Sequence, residues 1–430
     1  MIKIIKHPVR DSWESLFRPA QIEKSGLEEK VRHILNRVRS EGDSALLDYS
    51  EKYDGVRPES LIVSYEEIRE AEKFVPDDLK RAISMAKENI EIFHRAQITD
   101  EPVIETTPGV KCWRKSIPVE KAGIYIPGGT APLFSTVLML ALPATIAGCR
   151  EIVMCTPPDK NGRVNPLILY AASITGVTRI YMTGGAQAVA AMAFGTESVP
   201  GVDKIFGPGN QYVTKAKEMI QMYGIPVDMP AGPSELLVIA DKTAVPEFVA
   251  ADLLSQAEHG PDSQVFLMSD DEEMINRVLY EIEKQIHTLP RMSTALEALE
   301  NSALILFDSM IDCIEFSNLY APEHLIIATT EPSSVAAGVI NAGSVFLGNY
   351  SCESAGDYAT GTNHTLPTNG YARNYSGVSV ESFMKKITFQ EVTQEGIKNI
   401  GPAVELMADA EMLAGHRNAV AVRLKSLRNE

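Results

Sequence analysis

From Gly123 to Leu347 the chain repeats one device: a short apolar run, a turn rich in glycine or proline, and a stretch with helical spacing. In the first half the runs fall at 123–126, 151–155, 179–183 and 204–206, with helical patterns at 134–147, 165–174, 186–194 and 212–222. Such alternation is the mark of parallel βαβ units, because parallel neighbours in one sheet need a crossover between them. After a Pro-Gly-rich joint, Met229-Pro-Ala-Gly-Pro233, the runs resume at 236–240, 264–268, 304–307, 325–328 and 344–347. The expected fold is therefore α/β: two Rossmann-like parallel-sheet domains facing a cleft, the usual place for a ligand.

The flanks read differently. Residues 22–100 are expected to be helical; over 31–49 the apolar positions Val31, Ile34, Leu35, Val38, Leu46 and Leu47 mark one helical face. Beyond about Ser376 a helical pattern is expected to the end, and a small helical tail on an α/β body often serves a partner chain. With 430 residues, two large domains with smaller appendages are expected.

Composition excludes several classes. A formal charge of −17 works against nonspecific attraction to nucleic acid or anionic membranes. Residues 122–149 lack any charge, but Pro127, Gly128, Gly129, Pro132 and Pro143 interrupt them, which argues against a membrane span. Charged residues break the apolar stretch at the N-terminus, so no secretory signal is expected. Five scattered cysteines form neither a zinc ribbon nor a disulfide framework, which suits a reducing cytoplasm.

Polar residues cluster in the second half. Gln256 and His259 lie three apart at the end of a helix expected to start near Pro246, where they can share a ligand or simply cap the helix before Gly260-Pro261. Glu323 and His324, after Pro322, offer a base for water and a base for an alcohol proton; an exposed strand edge is the other reading. Asp357 and His364 sit in a glycine-punctuated loop, the kind that carries function or merely turns. Glu411 and His416, five apart, diverge on an unbroken helix, so Gly415 would have to loosen it if both served one site. His7, His33, His94 and His287 look solvent-facing. Glycine turns follow three strands, at 127–129, 184–185 and 207–209, without a G-x-G-x-x-G, a P-loop or an H-E-x-x-H. They can hold a cofactor on backbone amides or be tight connections.

Read together, these segments resemble the histidinol dehydrogenase family. The runs that carry the resemblance are Tyr-Ile-Pro-Gly-Gly-Thr-Ala-Pro-Leu-Phe-Ser-Thr (125–136), Gly-Gly-Ala-Gln-Ala (184–188), Phe-Gly-Pro-Gly-Asn (206–210) and Pro-Ala-Gly-Pro-Ser-Glu (230–235). They continue with Leu-Ser-Gln-Ala-Glu-His-Gly-Pro-Asp-Ser-Gln (254–264), Ala-Pro-Glu-His-Leu (321–325), Ser-Ala-Gly-Asp-Tyr (354–358), Gly-Thr-Asn-His-Thr-Leu-Pro-Thr (361–368) and Ala-Gly-His-Arg-Asn-Ala-Val (414–420). The resemblance spans essentially the whole chain. It implies NAD-dependent, four-electron oxidation of L-histidinol through L-histidinal to L-histidine, the last step of histidine biosynthesis.

It also implies one zinc ion per subunit, held by Gln256, His259, Asp357 and His416. Glu323 would activate water and His324 would act as base. Ser234, His364 and Glu411, with His324 and the zinc ligands, would line the substrate site, and Tyr125, Gln187 and Asn210 would contact NAD. A homodimer is implied in which the tail completes the partner's site. On this basis the expected division is an N-terminal extension at 1–21, a substrate and zinc domain at 22–124 and 231–376, an NAD domain at 125–230, and a dimerisation tail at 377–430.

Overall fold

The computed structural model describes residues 2–17, 26–128, 131–230 and 232–428; the division points at 21, 22, 231 and 430 lie outside the described residues. Its strands are β1 (Lys3–Lys6), β2 (Ile104–Thr107), β3 (Val110–Pro118), β4 (Lys121–Tyr125), β5 (Glu151–Thr156), β6 (Arg179–Met182), β7 (Lys204–Phe206), β8 (Glu235–Ala240), β9 (Gln264–Ser269), β10 (Ala303–Leu306), β11 (His324–Ala328), β12 (Ser344–Leu347) and β13 (Met384–Val392). They form a six-stranded parallel sheet, β1-β10-β9-β8-β11-β12, and a four-stranded parallel sheet, β6-β5-β4-β7. The α/β fold with two parallel sheets is the one expected, and all nine apolar runs are strands.

Both parallel sheets are covered on both faces, which is why their strands read as unbroken apolar runs. Along β5, Ile152 and Met154 point into one core while Val153 and Cys155 point into the opposite one. Along β8, Leu236 and Val238 likewise divide from Leu237 and Ile239. No helix among the described residues is long and apolar enough to cross a membrane. The uncharged stretch is β4, its turn, and the helix Phe134–Ala147, which is buried on almost every side.

That helix explains a departure from the expected domains. A helix apolar all round needs a second layer outside it, and the helices Tyr65–Ala71 and Asp77–Arg95 supply it, with Ile83, Ala86 and Ile90 in the same core. On the opposite face Val31, Ile34, Leu35 and Val38 pack with Ala188, Val189 and Met192. The helices between 27 and 95 thus cover the four-stranded sheet, whereas the sequence grouped them with 231–376. That sheet also begins earlier than 125, because β4 starts at Lys121.

Further differences follow from backbone and pattern. The helix expected over 31–49 is two, Leu27–Glu41 and Asp43–Tyr53, broken at Gly42, whose φ of 58° leaves the right-handed helix. The first residues are no mere extension: β1 closes one edge of the six-stranded sheet, and Trp13 and Phe17 pack edge-on against Phe307 and Phe316. The tail is not wholly helical. Only Lys386-Ile-Thr-Phe-Gln390 alternates with period two, and β13 pairs antiparallel with β3 in a third sheet, β13-β3-β2. His94 is buried rather than solvent-facing, with Nδ1 2.8 Å from the Ile90 carbonyl oxygen.

The helix Pro246–Ala257 carries a buried carboxyl, Asp252, which desolvation pushes up to about 7. The native state therefore keeps a proton that the unfolded chain releases near pH 4. Stability from that proton is full below about pH 4 and is lost as pH rises through about 7. D252N, neutral throughout, should gain roughly 2–4 kcal/mol on the wild type between pH 4 and pH 8. Urea unfolding at the two pH values measures it, and parallel pH dependences would refute the assignment.

Candidate active site

The second-half candidates converge at the amino ends of the six-stranded sheet. Pro322 and Ala321, the latter at φ 58°, bend the chain so that Glu323 stands just before β11 and His324 opens it. Adjacent residues within a strand point to opposite faces, and with Glu323 outside the strand both side chains can serve one centre. Glu323 Oε2 accepts from the Glu235 N–H at 2.9 Å, and His324 Nδ1 lies 3.7 Å from that oxygen and 3.3 Å from the Glu235 carbonyl oxygen. With Nδ1–H donating to a carbonyl, Nε2 carries the lone pair. Nε2 stands 3.5 Å from Asp357 Oδ1, and neither atom has a hydrogen-bond partner among the described residues.

Gln256 comes from the last turn of its helix, His259 from just beyond it, and the Gln256 amide lies 3.4 Å from Glu323 Oε2. His259 is exposed at the mouth, yet close enough to Asp357, His324 and His364 to feel their charges. Asp357 lies on a short helix, Glu353–Tyr358, rather than in the loop expected there. His364 Nδ1 is 2.9 Å from the Asp357 carbonyl oxygen, and Nε2 is 3.5 Å from Thr136 Oγ1, which joins this loop to the helix after β4. Ser234 immediately precedes β8.

Burial pushes the Glu323 carboxyl up to about 7 despite the neighbouring imidazole. Burial works against protonated His324, but Glu323, Asp357 and Glu353 outweigh it and raise the ring to about 10, so Nε2 becomes a free base at neutral pH only when a bound cation offsets those carboxylates. Burial also opposes ionised Asp357, and the surrounding histidines overcome it, keeping its pKa below the usual range. For His364 burial wins and the ring is pushed down. The result is a buried cluster of carboxyl groups around one imidazole, with ligand-type atoms of His324, Glu353 and Asp357 all within 4.8 Å of one another. Orphaned nitrogen and oxygen atoms at the centre of such a set suit a zinc ion.

Two site carboxylates escaped the sequence reading: Glu235, whose pKa burial raises to about 8, and Glu353, raised by the same cause. Glu353 and Asp357 lie four apart on one helical face, a signal the loop reading hid. His416 and Glu411 are not brought to the site within the chain. Both are exposed, and the helix breaks at Met412, φ 59°, rather than at Gly415.

The first-half candidates gather elsewhere, at the carboxyl ends of the four-stranded sheet. Tyr125 ends β4, Gln187 follows β6 and Asn210 follows β7, and all three line one cavity of about 1170 Å3. Tyr125 Oη accepts from the Gly185 N–H at 3.0 Å, and Asn210 Oδ1 caps the helix Gln211–Ile220 through the Tyr212 and Val213 N–H groups. Behind the third turn is a buried ion pair, Lys217 Nζ to Asp228 Oδ1 at 2.5 Å. The pair holds both backbone polar groups of one residue: Asp228 Oδ2 accepts from the Gly207 N–H, and Lys217 donates to the Gly207 carbonyl, each at 2.8 Å. Gly207 sits at φ 125°, and a Cβ there would strike the Tyr125 carbonyl.

A pair of buried bases beside a metal-type pocket, on a scaffold with a separate dinucleotide-sized cavity, defines an α/β oxidoreductase. The histidinol dehydrogenase family model matches residues 18–424. The chain is 56% identical over 428 residues to a histidinol dehydrogenase of Bacteroides thetaiotaomicron, covering 100% of both, and 50% identical over 417 residues to one of Escherichia coli, covering 96% of this chain and 95% of that one. A crystal structure of histidinol dehydrogenase from Elizabethkingia anophelis superposes with a TM-score of 0.97 at 56% identity, over 99% of each chain. The chain belongs to the histidinol dehydrogenase family, whose enzymes catalyse the final step of histidine biosynthesis.

Proposed function

We propose that the protein oxidises L-histidinol to L-histidine with two molecules of NAD, as a cytoplasmic homodimer with one zinc ion per subunit. The observation that carries this reading is the buried Glu323–His324 pair, whose unpartnered Nε2 faces the ligand-type side chains. Gln256, His259 and Asp357 would hold zinc with His416 of a second copy, and the bound ion would supply a template for the substrate's amino and imidazole nitrogens. His324 Nε2 takes the hydroxyl proton as hydride leaves the carbinol carbon, giving the aldehyde. Glu323 takes a proton from the water that adds to that aldehyde, and a second hydride loss from the hydrate leaves the carboxylate. Ser234, His364 and Glu411 would line the substrate, with Glu411 accepting from an imidazole N–H.

NAD is assigned to the cavity lined by Tyr125, Gln187 and Asn210, at the carboxyl ends of parallel strands where dinucleotides bind. Support for the homodimer comes from the tail. Leu406, Met407, Met412, Leu413 and Val422 are exposed on or between its two helices, an apolar surface that a second copy would cover while bringing in His416 and Glu411.

The test is NADH formation from L-histidinol before and after zinc chelation, with the ratio of NADH to substrate consumed. Two NADH per histidinol, lost on chelation and restored by zinc, is the expected result. No turnover by the metal-loaded protein would assign the site to another small alcohol.

A further inference from the structure

Glu353 opens its helix with 2% exposure and has no part in the reaction just described. Its Oε2 accepts from the Ser255 hydroxyl at 3.3 Å, and its Oε1 faces the side-chain amide of Gln256. A cation bound at this centre would hold Glu353 ionised against the effect of burial; an ionised carboxylate only accepts, whereas a primary amide has one accepting end and one donating end. The Gln256 amide can enter its pocket either way round. In one, its carbonyl accepts from the Glu235 N–H at 3.1 Å and its NH2 donates to Glu353; in the other, its NH2 lies 3.4 Å from Glu323 Oε2 and its carbonyl oxygen meets the Glu353 oxygen. The second arrangement sets two acceptors against each other. The first leaves a carbonyl lone pair free, and it is the oxygen of an amide that ligates a divalent cation.

We propose that Glu353 is a positioning residue of the metal centre: by holding the NH2 of Gln256 it fixes which end of that amide is presented to the cation. This rests on reading Gln256 as a metal ligand. Glu353 breaks the two-fold ambiguity of the amide, which a neutral glutamine in its place would restore. Partners of this kind, one shell behind the ligands, commonly govern metal affinity as strongly as activity.

Zinc affinity of the full-length protein, read by competition with a chromophoric chelator, tests the proposal in wild type, Q256A, E353Q and the exchange Q256E/E353Q. E353Q is isosteric and should weaken zinc binding about tenfold to a hundredfold. The exchange keeps the total charge, places a carboxylate at 256 where either oxygen can ligate, and lets the amide at 353 donate to it. It should recover wild-type affinity to within about threefold. E353Q binding as tightly as wild type would overturn the proposal. So would an exchange no better than E353Q, which would mean that the carboxylate acts from position 353 itself. Wild type that binds no zinc, or Q256A that binds it undiminished, would instead remove the ligand reading on which the proposal stands.

Discussion

Glutamine at position 323 is expected to halt the second oxidation while sparing much of the first. Glu323 is buried, is shifted by burial to about 7, and lies 3.7 Å from His324, whose free Nε2 points the other way, toward Asp357. Two bases aimed differently suit two proton transfers, one from the alcohol and one from water. E323Q keeps shape and volume but cannot take the water's proton. A lost general base costs about 10²–10⁴-fold in rate, so oxidation of supplied aldehyde should fall by that factor. The NADH yield per histidinol should move from two toward one, and an aldehyde trap should capture the intermediate. Equal losses in both steps would show that Glu323 serves both, and the division of labour would be wrong.

The largest stability effect is expected at Lys217, a residue that touches no candidate catalytic group. Its side chain and that of Asp228 are 5% and 1% exposed, and together they hold the backbone N–H and carbonyl of Gly207. K217M would leave Asp228 buried and ionised against two backbone N–H groups alone, at a cost of about 3–5 kcal/mol. Adding D228N removes the stranded charge and should return a good part of that loss. Chemical denaturation of the three proteins measures both effects. Because the clamped turn carries Asn210, K217M should also raise KM for NAD more than it lowers kcat. A loss below about 1 kcal/mol would place Lys217 among ordinary surface-type pairs.

The parallel sheets were legible because a strand buried on both faces must be apolar throughout, and none of the nine runs failed. What stayed hidden was pairing between distant segments. Lys3–Lys6 is too short and too charged to announce a strand, and it becomes one only because β10 offers an open edge. Met384–Val392 alternates with period two only over Lys386–Gln390, too short a signal to stand out from the helical tail around it. The covering of the four-stranded sheet by the helices between 27 and 95 depends on which apolar faces match, and periodicity reports a face without its mate. At the site, short-range motifs located Gln256, Glu323, His324 and Asp357. Glu235 and Glu353 were missed because their importance lies in burial, which a carboxylate does not declare in sequence.

The position of β1 governs the order in which the chain can assemble on a ribosome. The four-stranded sheet is complete once Phe206 has emerged, whereas Lys3–Lys6 must wait for its neighbour Ala303–Leu306. At about 5–20 residues per second that delay is roughly 15–60 s. During it the first strand and the aromatic pair Trp13 and Phe17 have no native surface to occupy. The two lysines of β1 and its shortness keep that waiting segment poorly suited to joining another nascent chain. Vectorial synthesis therefore assembles the strands of the smaller sheet first, leaving Val378, Val380 and Phe383 to join its core later, and closes the larger sheet by recapturing a segment made long before.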